Sequence, residues 1–353
     1  MIKTMKALMY DQPGREHSSI RQIPYPKCGD DEIIIKVMSC SICKGAEHDH
    51  DNGKGTDLAK YPVVPGHEFS GYVHEVGKNV TLFKPGDRVT ADNTEYCGDC
   101  YYCRREESNY CPTFGSLGHN INGGFAEFVK VKKEKVFHIP DNLSFNAAAL
   151  SEPVACCIHA VDHANVRYGD TVAIFGAGSM AQILGQLFVA SNASRVYMIA
   201  GKSNKLKLAE KYGIIPIEMD RSDYSIHETE LLKENPLGID LIVDATGSTK
   251  IISEAIKLLK KGGTLLQYAI VHSGEKVVMD PALMFNNELT YTASFCQSHN
   301  FGRAVDVLAS GIVDGDSLVT GEFALEDFYK GLDENVEDRN SIKVIIHPNY
   351  ENQ

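Results

Sequence analysis

The chain has 353 residues, enough for two domains each with its own core. Its hydrophobic content is 43%, and 47 acidic against 35 basic residues give a formal net charge of -12; an acidic surface repels nucleic acid and anionic membranes, so neither is expected as a partner. No uninterrupted apolar run approaches the ~20 residues a membrane span needs, and MIKTMKALMYDQPG has no apolar core of signal-peptide length, which together predict a cytoplasmic protein.

The first 150 residues carry short β-rich pieces, DEIIIKVMSC, FSGYVHEVG, DRVTAD and GGFAEFVKV, cut by Gly and Pro turns. They predict an irregular, mostly antiparallel β domain. Two stretches inside it concentrate metal-ligand types: SICKGAEHDH holds Cys43, Glu47, His48 and His50, and VPGHEFSGYV holds His67 and Glu68. Each alone is weak, because a lone buried Cys is usually a small hydrophobe. HDHDNG at 48–53 reads as a solvated loop. CGDCYYCRREESNYC then places Cys97, Cys100, Cys103 and Cys111 at C-x2-C-x2-C-x7-C spacing. In a reducing compartment that spacing reads as metal ligands rather than disulfides, and zinc takes four thiolates in a tetrahedron. The segment lacks the apolar residues to make a core, so a metal would supply its cohesion. With four ligand positions used, the site is closed and structural. SEPVACCIHA adds Glu152, Cys156, Cys157 and His159. Its adjacent cysteines point to different faces of a helix, which reads as packing.

From Gly169 the pattern changes. DTVAIF reads as a buried strand and QILGQLFVA as a helix, and between them Gly176-Ala177-Gly178-Ser179-Met180-Ala181 is a G-x-G-x-x-A. The first glycine permits the tight turn, the second lets the backbone approach a pyrophosphate, and the small third residue allows close helix–strand packing. The strand before it and the helix after it make this a dinucleotide-binding motif, with Gly176, Gly178, Ser179 and Met180 as candidate contacts. RVYMIA (195–200) is a second strand and NKLKLAEKYG a helix; IDLIVDATG (239–247) is a strand, and TKIISEAIKLLKKGG an amphipathic helix with a Lys-Lys-Gly-Gly stop. GTLLQYAI (263–270) and ELTYTASF (288–295) are further strands. This alternation predicts an α/β fold with a doubly wound parallel sheet. Beyond about 290 come a helix at FGRAVDVLASG and a last strand, SIKVIIHP.

The second strand of that sheet ends at Ala200, followed by Gly201, Lys202, Ser203, Asn204 and Lys205. An NAD site usually carries an acid about 20 residues after the Gly motif, bonded to the ribose hydroxyls. No acid occurs between Val196 and Ala209, and Ala200 stands where it would be. Gly201 leaves room for a 2′-phosphate, Lys202 offers charge, and Ser203 and Asn204 offer donors. NADP(H) is the expected cofactor, with NAD(H) the alternative.

Together these motifs resemble the zinc-dependent medium-chain dehydrogenase/reductase family, on its alcohol and polyol dehydrogenase side. The resemblance spans essentially the whole chain, through Gly66-His67-Glu68 with Gly71, Val73 and Gly77, KPGDRV at 84–89, the four-cysteine lobe, GGFAEF at 123–128, Glu152-Pro153 and the Gly motif. It implies a GroES-like β-rich catalytic domain over 1–151 and 290–353, with a structural zinc lobe at about 95–113, and a Rossmann domain over 152–289. It implies a homodimer or homotetramer acting on a small alcohol or polyol. Cys43 and His67 match two catalytic-zinc ligands; Glu68 and Glu152 match acidic positions that bind the metal directly or through water; His48 matches a position that passes protons toward solvent. Such a zinc would act as a Lewis acid while a secondary alcohol and its ketone interconvert by hydride transfer.

Two departures stand out. Relatives usually follow the ligand cysteine with a small or basic residue, a Ser/Thr on the substrate oxygen and an Asp that supports the metal's histidine; here the residues are Lys44, Gly45 and Ala46. Glu47 or a water is left to substitute. Sorbitol-type relatives carry an Arg at about the Cys296 position, so sorbitol is not the expected substrate. A polyol or a sugar-alcohol phosphate is expected. The alternative is a metal- and nucleotide-binding protein that has lost turnover and serves a sensing or structural role.

Overall fold

Glu32–Ser41 is rich in β-branched residues, and Ile33, Ile34, Ile35 and Val37 are fully buried along it. In the computed structural model, which describes residues 3–55 and 58–349, this strand is the spine of a seven-stranded sheet. The path runs Val319–Ala324, Lys343–His347, Glu32–Ser41, Glu68–Val76, Arg88–Ala91 and Val136–His138, with Phe128–Lys132 also paired to Glu32–Ser41. Pairing is antiparallel except between Val319–Ala324 and Lys343–His347. Leu8, Ile35, Phe69, Phe125, Phe328 and Ile346 fill one core against it. The sheet therefore takes strands from both ends of the chain, and Met1–Ala155 with Ser298–Gln353 form one compact unit.

Cys156–Gln297 form the second unit. Its six strands are all parallel, in the order Ile215–Glu218, Arg195–Ala200, Thr171–Phe175, Ile239–Asp244, Leu259–Gln267, Thr290–Ala293. Chain order reverses direction at Thr171–Phe175. That is the switch point at which doubly wound sheets bind nucleotides, and the Gly motif follows that strand. Among the described residues no helix is long and apolar enough to cross a membrane.

Three expectations need correction. The unit boundaries differ: 152–155 pack with the first unit and 290–297 with the second. Thr290–Ala293 pairs with Leu259–Gln267 as the sixth parallel strand, while Asn300 Nδ2 donates to the Ala155 carbonyl at 2.8 Å and ties that end of the segment to the first unit. HDHDNG is not a solvated loop. Lys44–Asp51 is a helix whose Ala46, Glu47 and His50 are buried, with His50 against the rings of Tyr10 and Tyr61. The helix expected over TKIISEAIKLLKKGG ends at Ala255, and after a 3-10 turn Leu259 already pairs with Ile239. Strand pairing outcompetes helix extension there, because Leu258 and Leu259 are buried where the next parallel strand must begin.

Candidate active site

Strand register assembles the first constellation. Ser41 pairs with Glu68 on one side and with Ile345 on the other. Two residues further along, Cys43 is brought level with Lys343, and Ile42 N donates to the Val344 carbonyl at 2.9 Å. His67 enters from a turn that requires Gly66. Its φ is +94°, and a Cβ there would stand 2.8 Å from Cys40 Sγ and 2.9 Å from the Phe125 backbone nitrogen. The donor atoms of Cys43, His67 and Glu68 lie within 4.8 Å of one another, in a site where His67 and Glu68 are buried and Cys43 half-buried. A thiolate, an imidazole and a carboxylate make a donor set suited to zinc, with a fourth position left for a small molecule. Burial pushes the Cys43 thiol up to about 11, and a bound cation would reverse that by favouring the thiolate.

Three features behind these ligands were not read from the sequence, or were read as open. Lys343 is 2% exposed, and its Nζ donates to both Glu68 oxygens at 2.7 and 2.6 Å. Desolvation works against its charge, but Glu68, Cys43 and Glu152 outweigh it and raise its pKa. Nothing local in SIKVIIHP marks this lysine as buried. Glu47, left open as a stand-in, is 1% exposed; one oxygen accepts from Cys43 N at 2.6 Å, and the other lies 3.9 Å from His67 Nδ1. Among the described residues, neither that oxygen nor His67 Nδ1 has a hydrogen-bond partner. Burial pushes the Glu47 carboxyl up to about 8. Finally, the His119 ring centroid lies 4.8 Å from that of His67, and that of His50 lies 6.0 Å beyond. Burial holds His119 down to about 3 and His50 to about 4, so both are neutral where His50 Nδ1 meets the Tyr61 hydroxyl at 2.6 Å.

The remaining expected residues are arranged as follows. Glu152 lies in the first turn of Ser151–Ala164, outside the 4.8 Å set, yet its charge raises the pKa of both Cys43 and Lys343. His48 is half-buried on the helix Lys44–Asp51. A Cβ on Gly45 would meet nothing within 4 Å, and Lys44 Nζ donates to the Val336 carbonyl at 3.2 Å.

The four lobe cysteines also bring their sulfurs within 4.8 Å of one another. Cys97 stands 3.9 Å from Cys103 and 3.6 Å from Cys111. A disulfide needs about 2.05 Å, whereas thiolates sharing a tetrahedral zinc at ~2.3 Å stand ~3.8 Å apart. The Cys103 N–H points at Cys100 Sγ at 3.5 Å, as a donor to a thiolate would. Burial opposes ionisation of Cys111, but donations from Cys97 and Thr113 bring it down to about 6.

In the second unit, Gly178 precedes the helix Ser179–Val189 and no side chain caps it. Its first N–H groups are therefore available to an anion, and a Cβ on Gly178 would meet nothing within 4 Å. Gly176 has φ +120°, and a Cβ there would stand 3.0 Å from the Ala245 carbonyl oxygen. The Met180 carbonyl accepts from Cys157 Sγ at 3.8 Å, and its sulfur from the Tyr268 hydroxyl at 3.3 Å. Ala200 is buried at its strand end. Gly201 and Lys202 are exposed, and Ser203 caps Asn204–Lys211 by accepting from Leu206 N at 3.2 Å. Buried Gln182 donates to the Lys205 carbonyl at 2.7 Å and pins this loop to the Gly-motif helix. The residues present thus fit a dinucleotide.

Residues 29–141 match the family described as Alcohol dehydrogenase GroES-like domain, and residues 167–310 that described as Zinc-binding dehydrogenase. Over 347 residues the chain is 35% identical to D-arabinitol dehydrogenase 1 of Uromyces fabae, covering 98% of this chain and 97% of that one. It is 32% identical to D-arabitol-phosphate dehydrogenase of Enterococcus avium, covering 99% of each. Among solved structures, a zinc-binding dehydrogenase of Sinorhizobium meliloti 1021 bound to NADP superposes with TM-score 0.88 at 29% identity, over 98% of this chain and 100% of that one. A short chain alcohol dehydrogenase of Escherichia coli CFT073 complexed with NADH gives TM-score 0.88 at 25% identity, over 98% and 99%.

The lobe generates one prediction. Cys100→Ser should remove one metal ion per chain and lower the melting temperature by several degrees, at about 2–4 °C per kcal/mol lost. An unchanged ion count with unchanged melting would show that the thiols hold no ion.

Proposed function

The chain belongs to the zinc-dependent medium-chain dehydrogenase/reductase family, on its alcohol and polyol dehydrogenase side, and on that premise we propose that it oxidises a pentitol or pentitol phosphate at a secondary hydroxyl. The coarser activity, nucleotide-linked interconversion of an alcohol or polyol and its carbonyl product, follows from membership. The relatives also weigh against a protein without turnover, since both named above are dehydrogenases matched over nearly their whole length. The observation that carries the proposal is the Cys43, His67 and Glu68 donor set, whose ligand atoms lie within 4.8 Å of one another. The two arabitol-type relatives supply the substrate class.

Cys43, His67 and Glu68 would hold the catalytic zinc, with Glu152 beside them and Cys97, Cys100, Cys103 and Cys111 holding a structural one. Bound there, the catalytic ion supplies Lewis-acid polarisation of the substrate oxygen, and a bound nicotinamide supplies the hydride acceptor. The chain's own residues do the rest. Lys343 balances Glu68 and fixes its plane through two charge-assisted hydrogen bonds. A Glu47 oxygen lies 3.9 Å from His67 Nδ1; on closing to hydrogen-bond distance it would accept a hydrogen bond from Nδ1–H, fixing the tautomer and leaving Nε2 as the metal donor. Gly45 has no hydroxyl to begin a proton relay, so His48 and Glu152 are the groups proposed to carry the substrate proton away.

NADP(H) is proposed as the preferred nucleotide, because Ala200 offers no repelling acid, Gly201 leaves open space and Lys202 is exposed beyond it. A homodimer or homotetramer in the cytoplasm is proposed as well. Among the described residues Thr290–Ala293 is an edge strand of its sheet, and Ile270, Val278 and Phe285 on the same unit are exposed.

Turnover, metal affinity, nucleotide selectivity and assembly mass check these readings. On a panel of polyols and polyol phosphates, pentitols should turn over best. His67→Ala should abolish turnover while nucleotide binding survives, and Glu47→Gln should weaken metal affinity about ten- to a hundredfold against a competing chelator; turnover persisting in His67→Ala would overturn the metal assignment. The kcat/KM ratio of NADP to NAD should exceed one and fall about tenfold (~1.4 kcal/mol) in Ala200→Asp. A wild-type enzyme favouring NAD tenfold or more (about 1.4 kcal/mol) would reverse the cofactor reading. Sedimentation should return two or four chain masses, and a monomer at micromolar concentration would refute the assembly.

A further inference from the structure

The loop after Arg195–Ala200 carries no acid, but the sheet supplies one from beside it. Parallel pairing sets Glu218, at the end of Ile215–Glu218, directly alongside Ala200, and Met219 N donates to the Ala200 carbonyl at 2.8 Å. Neighbouring strands lie ~4.8 Å apart, so this carboxylate emerges one strand away from the position at which a dinucleotide site usually keeps its ribose-binding acid. Two residues beyond Ala200, Lys202 turns back toward it: Lys202 Nζ stands 3.9 Å from Glu218 Oε2, with both side chains largely exposed. Two further acids follow in the loop and are occupied locally: Asp220 accepts from Ser222 N at 2.8 Å and Ser222 Oγ at 2.6 Å, and Asp223 from Ser225 N at 3.0 Å and Ser225 Oγ at 2.6 Å. The backbone that carries Lys202 is held by two contacts, the Ser203 cap and the Gln182 bond to the Lys205 carbonyl.

Resting on the reading that this loop receives a 2′-phosphate, we propose that Glu218 is a specificity-determining residue that limits the preference for NADP(H) over NAD(H). Lys202 is exposed two residues beyond the strand end, and it already has a carboxylate partner. A 2′-phosphate carries up to two negative charges. To use Lys202 it must share or displace Glu218, and it then lies beside a like charge. The ribose hydroxyl of NAD(H) carries no charge and meets neither cost. Glu218 therefore acts on one nucleotide and leaves the other nearly alone, which is discrimination by an unfavourable contact rather than by an added favourable one. The pair is exposed, so its effect is modest and is screened by salt.

The experiment titrates NADPH and NADH, by nicotinamide fluorescence and without alcohol substrate, into the wild-type protein, Glu218→Gln, Lys202→Ala and the double variant. Glu218→Gln should tighten NADPH binding about fivefold at low salt while moving NADH less than about twofold. That gain should shrink at high salt and in the Lys202→Ala background. An NADPH affinity unchanged in Glu218→Gln, or an equal shift for both nucleotides, would overturn the proposal. The cofactor reading fails separately, if the wild-type protein binds NADH the more tightly. In that case Glu218→Gln must still improve NADPH selectively for the role of Glu218 to stand.

Discussion

The Lys343–Glu68 ion pair is a buried charge contact that constrains the first unit. Both side chains are almost wholly buried, at 2% and 1% exposure, and they lie 275 residues apart in sequence. Neither charge could be left alone in that position. Removing one partner of a buried pair typically costs about 3–5 kcal/mol, because the other is left uncompensated. The last strand, Lys343–His347, must therefore enter the sheet beside Glu32–Ser41 before the Glu68 carboxylate is tolerable where it stands. The same register that seats Lys343 sets Cys43 across from it, so the contact that stabilises the unit also shapes the ligand set.

Around that pair the protein treats two carboxylates in opposite ways. Glu68 is matched by a full cation at hydrogen-bond distance. Glu47 receives one backbone donor from Cys43 and otherwise faces an imidazole at 3.9 Å, and burial pushes its carboxyl up to about 8. Behind His67, the neutral rings of His119 and His50 fill space without adding positive charge to compete with a metal. On the helix Lys44–Asp51, Glu47 and His50 are buried, and the largely buried Asp51 accepts from the Tyr10 hydroxyl at 3.3 Å and from Arg15 Nε at 2.9 Å.

The nucleotide unit relies on local geometry. Glycines open the approach to an uncapped helix, and a buried glutamine amide holds the loop that would choose between nucleotides. The Lys202–Glu218 charges there are exposed, whereas Lys343 and Glu68 in the first unit are buried and interdependent. On the proposed reading, selectivity for the nucleotide would shift by single surface substitutions, while removing either partner of the buried Lys343–Glu68 pair would leave an uncompensated charge.

What the sequence determined by itself was whatever lies close together along the chain. The G-x-G-x-x-A turn, the cysteine lobe and His67-Glu68 are each written within a few residues, and the short local geometry they imply is the geometry found. Ala200 was legible as a missing acid for the same reason. Tertiary structure decided the rest. Lys343, His119 and Glu218 each reach their partners across strands or loops distant in sequence, and no period or spacing announces which strands will be neighbours. HDHDNG looks like a solvated loop because its polarity is plain, while the burial of His50 depends on Tyr10 and Tyr61 being brought against it. The helix after Thr249 ends early because Leu259 has a strand to join, a partner that appears only once the sheet exists. Local motifs carry their own backbone geometry, whereas burial and charge compensation are properties of groups that meet only through the fold.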